Sequence, residues 1–202
     1  MSKALWIKIC GLTTPDAVDA AVRAQVDAIG FVFAPSKRRV TAQRAQELSR
    51  NVPQSIDRVA VMQHPTQTEL DEVLSVFGPE VLQIDIEDLA ALKVPSTLRV
   101  HPVVRAGREL PQALPERILF EGPVSGTGRT ADWTQAQQLA RRSQLILAGG
   151  LNPENVADAV RIVDPFGVDV SSGVESAPGV KDPALILRFV SAARESQEVL
   201  VV

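Results

Sequence analysis

The sequence predicts an α/β fold, a single (β/α)₈ barrel occupying residues 1–202 as one domain. Three observations predict it. Eight short, β-branched apolar runs alternate with longer stretches of helical spacing, the pattern of repeated βαβ units. A chain of 202 residues with 45% apolar composition buries one substantial core, and nothing marks a second. The residues closing the predicted strands are mostly polar or glycine, at the end of the barrel where such folds carry their sites. An open, doubly wound sheet is the rival architecture for a chain of this length.

The first strand is read at Leu5 to Cys10. Thr13 or Thr14 caps a helix that has Pro15 in its first turn and continues through Ala24. A second strand covers Ala28 to Phe33 and leads into the basic loop Ser36-Lys37-Arg38-Arg39. Thr41 caps a helix to about Ser49, and Arg58 to Met62 form the third strand. Thr66 opens a helix that reaches Phe77 and is stopped by Gly78-Pro79. Val81 to Asp85 are the fourth strand, followed by only a short helical stretch around Glu87 to Leu92, so the fourth crossover is trimmed. Thr97 to Val104 read as the fifth strand, and a proline-bearing stretch precedes the sixth, Arg117 to Glu121. Asp132 caps a helix to about Arg142, Leu145 to Ala148 are the seventh strand, and Asn152-Pro153 opens the next helix. Gly167 to Val170 form the eighth strand, and Asp182-Pro183 starts a final helix to about Arg194.

Composition narrows the function. A net charge of −3 gives no overall footprint for nucleic acid or an anionic membrane. No leader and no apolar run near the ~20 residues of a membrane span is visible, so a soluble, cytoplasmic protein is expected. One cysteine cannot form an internal disulfide, and with two histidines it makes a poor zinc inventory.

The strand-closing positions are Cys10, Phe33, Asp85, Glu121, Gly149 and Ser171. Alternation puts Lys8 and Cys10 on one face of the first strand, opposite Ile7 and Ile9. If that face is the interior, an ammonium beside the thiol favours the thiolate that a general base needs. A buried cysteine is nevertheless more often an apolar filler than a catalyst. Glu121 can supply a proton if burial raises its affinity for one; the plainer alternative is a solvated loop carboxylate. Gly149-Gly150 after strand seven and Ser171-Ser172-Gly173 after strand eight stand where this fold usually grips phosphate, with Ser125-Gly126-Thr127-Gly128 as another donor-rich loop; the plainer alternative for each is a turn that needs glycine. Arg38 and Arg39 are placed to pair with a carboxylate or phosphate. His64 and His101 fall near the ends of strands three and five and are read as structural.

Five stretches resemble a known family: Lys8 to Thr13; Gly30 to Phe33 with Ser36 to Arg38; Gly126 to Gly128 with Asp132-Trp133; Ala148 to Val156; and Val168 to Glu175 with Pro178 to Asp182. Together they are similar to phosphoribosylanthranilate isomerase of tryptophan biosynthesis. The resemblance implies the (β/α)₈ barrel, no cofactor or metal, and an Amadori rearrangement of N-(5-phosphoribosyl)anthranilate. It implies Cys10 as base and Glu121, where the family has aspartate, as acid. It places Arg38 near the anthranilate group and Asp169 against the phosphorylated aminosugar, with Gly149, Gly150, Ser171 and Ser172 in the phosphate grip; Lys8, Gly126 and Gly173 are expected as further substrate-binding residues. Asp85 and Glu87 stand where the family has a histidine and an acidic residue, and Ser125 replaces a usual glycine. The expected assembly is a monomer or homodimer, with no nucleic-acid or membrane partner. A noncatalytic phosphosugar-binding barrel and another phosphosugar isomerase or epimerase are the alternatives.

Overall fold

The computed structural model describes residues 4–110, 113–122 and 132–198. Eight parallel strands close on one another in sequence order: β1 (Trp6–Cys10), β2 (Ala28–Val32), β3 (Asp57–Val61), β4 (Val81–Asp85), β5 (Arg99–Arg105), β6 (Arg117–Glu121), β7 (Gln144–Leu147) and β8 (Gly167–Val170). Closure comes from β1 against β8, where Lys8 pairs Asp169 in register.

Helices α1 (Pro15–Arg23), α2 (Ala42–Leu48) and α3 (Gln67–Val76) cover the first half of the barrel. Each starts where a threonine oxygen accepts a backbone N–H that the first turn leaves unpaired: Thr14 for α1, Thr41 for α2 and Thr66 for α3. At α3 the cap is reciprocal, because Glu69 accepts the Thr66 N–H. A single 3₁₀ segment, Ile86–Ala91, stands in for the trimmed fourth crossover. No described residue between β5 and β6 is helical. Helices α4 (Trp133–Ala140), α5 (Val156–Val163) and α6 (Pro183–Glu198) complete the outer layer, and a small antiparallel pair, β9 (Glu175–Ala177) and β10 (Val180–Lys181), sits after β8.

Period-two alternation sorts the side chains into two cores. Outward positions such as Ile7, Ile29, Leu82, Ile118 and Phe120 are fully buried against the helices, each worth about 1.5–3 kcal/mol of transfer free energy. Inward positions Trp6, Ala28, Val59, Val81, Val103, Leu119 and Ile146 fill the barrel itself. The inward alternation continues upward into polar residues: Lys8 and Cys10, Gln83 and Asp85, Arg105, Glu121 and Asp169.

Two boundaries differ from the sequence reading in ways that matter. β5 runs on to Arg105 despite Pro102 in its interior; its pairing with β6 starts only at Val103, after the residue that lacks an N–H. His101 therefore lies deep inside the barrel, at the third residue of β5, and not near its carboxyl end. α5 begins at Val156, because the Asn152 side-chain oxygen accepts the N–H groups of Glu154 and Asn155 and holds a turn ahead of the helix.

Candidate active site

A cavity of about 520 Å³ opens where the strands end, lined by Cys10, Asp85, Arg105, Glu121 and Asp169 from the strands. Arg38 from the β2 loop, Gly149 and Gly150 from the β7 loop, and Ser171 and Ser172 from the β8 loop complete its wall. A larger groove of about 770 Å³ runs beside α2 and α3; it takes in Phe33, Arg39 and His64 but none of Cys10, Arg38, Glu121, Asp169 or the glycine and serine loops. The polar mouth is therefore the candidate site.

At its base Lys8 is fully buried, and its ammonium donates to Gln83 Oε1 at 2.7 Å and lies 2.9 Å from Asp169 Oδ2. Burial alone works against that charge, but Asp169 and then Cys10 outweigh it, so Lys8 holds its proton above its ordinary range. Room for this arrangement is made by β2: a Cβ on Gly30 would stand 2.9 Å from Lys8 Cε and 3.1 Å from Cys10 Sγ.

Cys10 does not follow the simple expectation. Burial pushes its thiol above the usual range; Lys8 and Lys181 pull it down and Asp169 pushes it further up, and burial wins. The expected bias toward thiolate is corrected accordingly. A thiolate formed against that bias is a correspondingly stronger base.

Arg38 faces the mouth but is already held: its Nε and Nη2 donate to Glu175 at 2.6 and 2.9 Å, a bidentate pair. Lys181 Nζ donates to the same carboxylate at 2.7 Å and to the Ser171 carbonyl at 2.9 Å. Burial pushes Glu175 up, yet these donors prevail and hold it at about 2. Ser171 donates its hydroxyl to the Cys10 carbonyl at 3.0 Å, tying β8 to β1.

Gly149 and Gly150 have φ of 87° and 67°, backbone that side-chain-bearing residues rarely adopt. Gly173 serves packing: a Cβ there would meet the Leu151 carbonyl oxygen at 1.8 Å, so the β7 and β8 loops touch because it is glycine. Gly126 and the rest of the Ser125 to Gly128 loop lie outside the described residues, as does the tail from Val199 to Val202.

On the far side of the mouth, Arg105 donates to Asp85 Oδ1 at 2.6 Å and to Glu121 Oε1 at 2.5 Å. Sequence reasoning missed Arg105 by ending strand five one residue early. The signal was present, since Arg105 is two residues beyond the inward Val103. Glu175 and Lys181 were missed as well, because nothing in their spacing marks them as partners of Arg38. His64 is exposed and paired to Asp88 through Nδ1 at 2.8 Å. His101 packs edge-on to Trp6 at 5.5 Å, and burial, followed by Arg117, drives it down to about 3. Neither histidine lines the mouth.

A closed eight-stranded parallel barrel with acid–base residues and two glycine- and serine-bearing loops at its carboxyl mouth defines a (β/α)₈-barrel enzyme of the sugar-phosphate class. A family model described as N-(5'-phosphoribosyl)anthranilate (PRA) isomerase matches residues 7–192. The chain is 38% identical over 190 residues, 93% of its length and 95% of the relative's, to an N-(5'-phosphoribosyl)anthranilate isomerase of Streptococcus pneumoniae. Its fold matches the crystal structure of TrpF from Jonesia denitrificans with a TM-score of 0.81 and 39% identity, over 96% of this chain and 98% of that one. It also matches a phosphoribosyl anthranilate isomerase in complex with reduced 1-(o-carboxyphenylamino)-1-deoxyribulose 5-phosphate, with a TM-score of 0.74 and 29% identity over 95% and 99% of the two chains. The chain belongs to the N-(5'-phosphoribosyl)anthranilate isomerase family, the aldose–ketose isomerases of tryptophan biosynthesis. Among the described residues no helix is long and apolar enough to cross a membrane.

Proposed function

We propose that the residues of this mouth carry out the family's reaction as a set, with Cys10 as base and Glu121 as acid, and that the whole chain acts as one catalytic domain. The observation that carries the reading is that Cys10 on β1 and Glu121 on β6 line one cavity from strands well separated around the barrel. The reaction needs that separation. Glu121 gives a proton to the furanose ring oxygen, the C1–O bond breaks, and the nitrogen lone pair forms the iminium. Cys10 then takes the C2 proton, the C2–H electrons flow toward nitrogen, and the enolamine tautomerises to the ketone.

The anionic phosphate is held at the far end of the substrate by Gly149, Gly150, Ser171 and Ser172, with Gly173 keeping the two loops in contact. Arg38, fixed by Glu175, presents its remaining nitrogen to the anthranilate ring or its carboxylate. Asp169 and Lys8 keep the sugar end polar and oriented. The substrate is a small phosphorylated aminosugar, handled by a cytoplasmic monomer or homodimer with no nucleic-acid partner.

Turnover of N-(5-phosphoribosyl)anthranilate by the purified chain, followed by the change in anthranilate emission, tests this reading. Cys10→Ala is expected to lower kcat by about 10³-fold or more while substrate binding changes only a few-fold, since a positioned base contributes on the order of 10²–10⁴. Undiminished kcat in that variant removes Cys10 from the mechanism. A chain that binds the substrate analogue without turning the substrate over is a noncatalytic phosphosugar-binding barrel, the second reading, which the ion pair already occupying Glu121 favours.

A further inference from the structure

Asp85, Arg105 and Glu121 stand on three consecutive strands and all point inward. Arg105 pairs Glu121 directly in the β5–β6 register, while Asp85 is opposite Val103, one inward position below Arg105. The two ion pairs share one guanidinium, through Nη2 to Asp85 and Nη1 to Glu121. Their surroundings differ. All three line the cavity, but Asp85 is 1% exposed and Arg105 6%, whereas Glu121 is 15% exposed. The Asp85 end of the network is the more shielded and the Glu121 end the more open to the cavity.

A proton donor must be a carboxylic acid when substrate arrives, yet a guanidinium against it favours the carboxylate. Asp85 is the counterweight. It is too buried to be compensated by water, so its charge is spent on Arg105, and the two form a nearly neutral unit beside Glu121. Among the described residues, most of the other charged groups around the mouth are paired elsewhere. Lys8 on β1, next to Cys10, pairs with Asp169 on β8. Arg38 and Lys181 pair with Glu175, and Arg108 beyond β5 pairs with Glu87 on the 3₁₀ segment. Lys37 lines the cavity from the β2 loop, opposite this wall.

We propose that Arg105 and Asp85 are positioning residues for the isomerisation, Arg105 by orienting the Glu121 carboxyl and Asp85 by drawing off enough of the guanidinium's charge for Glu121 to carry a proton. The proposal rests on the reading of Glu121 as the acid. It makes the aspartate at position 85 and the glutamate at position 121 parts of one device, joined through a residue between them.

The test is the pH profile of kcat in the full chain for Asp85→Asn, Arg105→Gln and the double variant, with Glu121→Gln as reference. The thiol, pushed up by burial, titrates above a carboxyl, so the acid-side limb of the profile belongs to Glu121. Asp85→Asn removes one of the two carboxylates described on the guanidinium and strengthens its hold on Glu121; the acid-side limb is expected to move down by about one pH unit and the plateau to fall about tenfold. Arg105→Gln moves the limb up. If an unpaired Asp85 unfolds that variant, the double variant decides, because both charges are gone and its limb returns to near that of the parent.

An Asp85→Asn limb that stays in place or moves up, or a double variant that reproduces the Asp85→Asn displacement, overturns the proposal. Glu121→Gln separates the two layers of argument. If it is inactive while the Asp85→Asn limb stays in place, only the positioning role falls. If it turns over like the parent, the acid assignment falls and takes this proposal with it.

Discussion

The mouth and the floor of the barrel are both polar, but they handle buried charge in opposite ways. At the mouth Lys8 is fully buried and remains charged because Asp169 and Cys10 face it, and Arg105 is set between two carboxylates. At the floor His101 has no anion beside it. Arg117 Nη1 lies 3.4 Å from its Nε2, its Nδ1 finds no partner, and burial drives it to the neutral form. Arg117 itself rests over the Phe166 ring at 4.1 Å and donates to Gln144. The mouth spends its polar residues on charges that chemistry can use, while the floor uses its own to close the barrel with Trp6 and Phe166.

The contrast is broken most severely at Lys8. Replacing it with Met deletes the ammonium that pairs with Asp169 and acts most strongly on Cys10, and leaves a carboxylate buried with one oxygen already unpartnered. Breaking a buried pair from one side costs about 3–5 kcal/mol, so denaturant midpoints should fall sharply. Where the variant still folds, the thiol loses the cation that draws it down, and kcat at neutral pH should drop by about 10²-fold or more. A variant with parental stability and kcat would show that the mouth does not depend on its buried cation.

The floor is expected to break with pH. His101 binds a proton near 6.5 when unfolded but only near 3 in the native barrel. Below about pH 6.5 the unfolded chain takes up a proton that the folded one refuses, so stability declines by about 1.4 kcal/mol per pH unit down to about pH 3. His101→Leu removes that dependence. Its stability should change less than the parent's between pH 6.5 and 4.5, by about 2–3 kcal/mol in unfolding experiments at the two pH values. Parallel stability curves would place the acid sensitivity elsewhere.

How much of this contrast was legible in the sequence follows from what each residue depends on. Alternation along one strand is local, so the inward placement of Lys8, Cys10 and Glu121, and the glycine and serine loops after β7 and β8, were readable. Threonine caps were readable for the same reason. Pairings between strands distant in sequence were not. That Arg38 is held by Glu175, 137 positions later, depends on the β9–β10 turn and leaves no periodic trace. The sign of the Cys10 shift was missed because Lys8 can be seen in the sequence and the extent of burial cannot. Arg105 was lost to a boundary error of one residue, and with it the reason that Asp85 and Glu121 occur together.

The smallest perturbation tests whether the mouth's charges need the close fit that surrounds them. Gly30 lies on β2 beside Cys10 in register, and it is the neighbour that leaves Lys8 and the thiol their space. Gly30→Ala adds one methyl with no change of charge and no left-handed backbone to strain. At 2.9 Å from Lys8 Cε and 3.1 Å from Sγ that methyl forces both groups to shift, since both contacts are closer than carbon and sulfur tolerate. Overpacking of this kind costs about 1–3 kcal/mol, less than removing the cation. The displacement also falls on Cys10, the proposed base, and on the cation beside it. A fall in kcat of about 10-fold is expected, with little change in KM, because rate is sensitive to displacements well under 1 Å at a reacting group. If stability falls while kcat holds, the fit around Gly30 serves packing alone, and the geometry of the Lys8–Cys10 pair is looser than the mouth's other contacts imply.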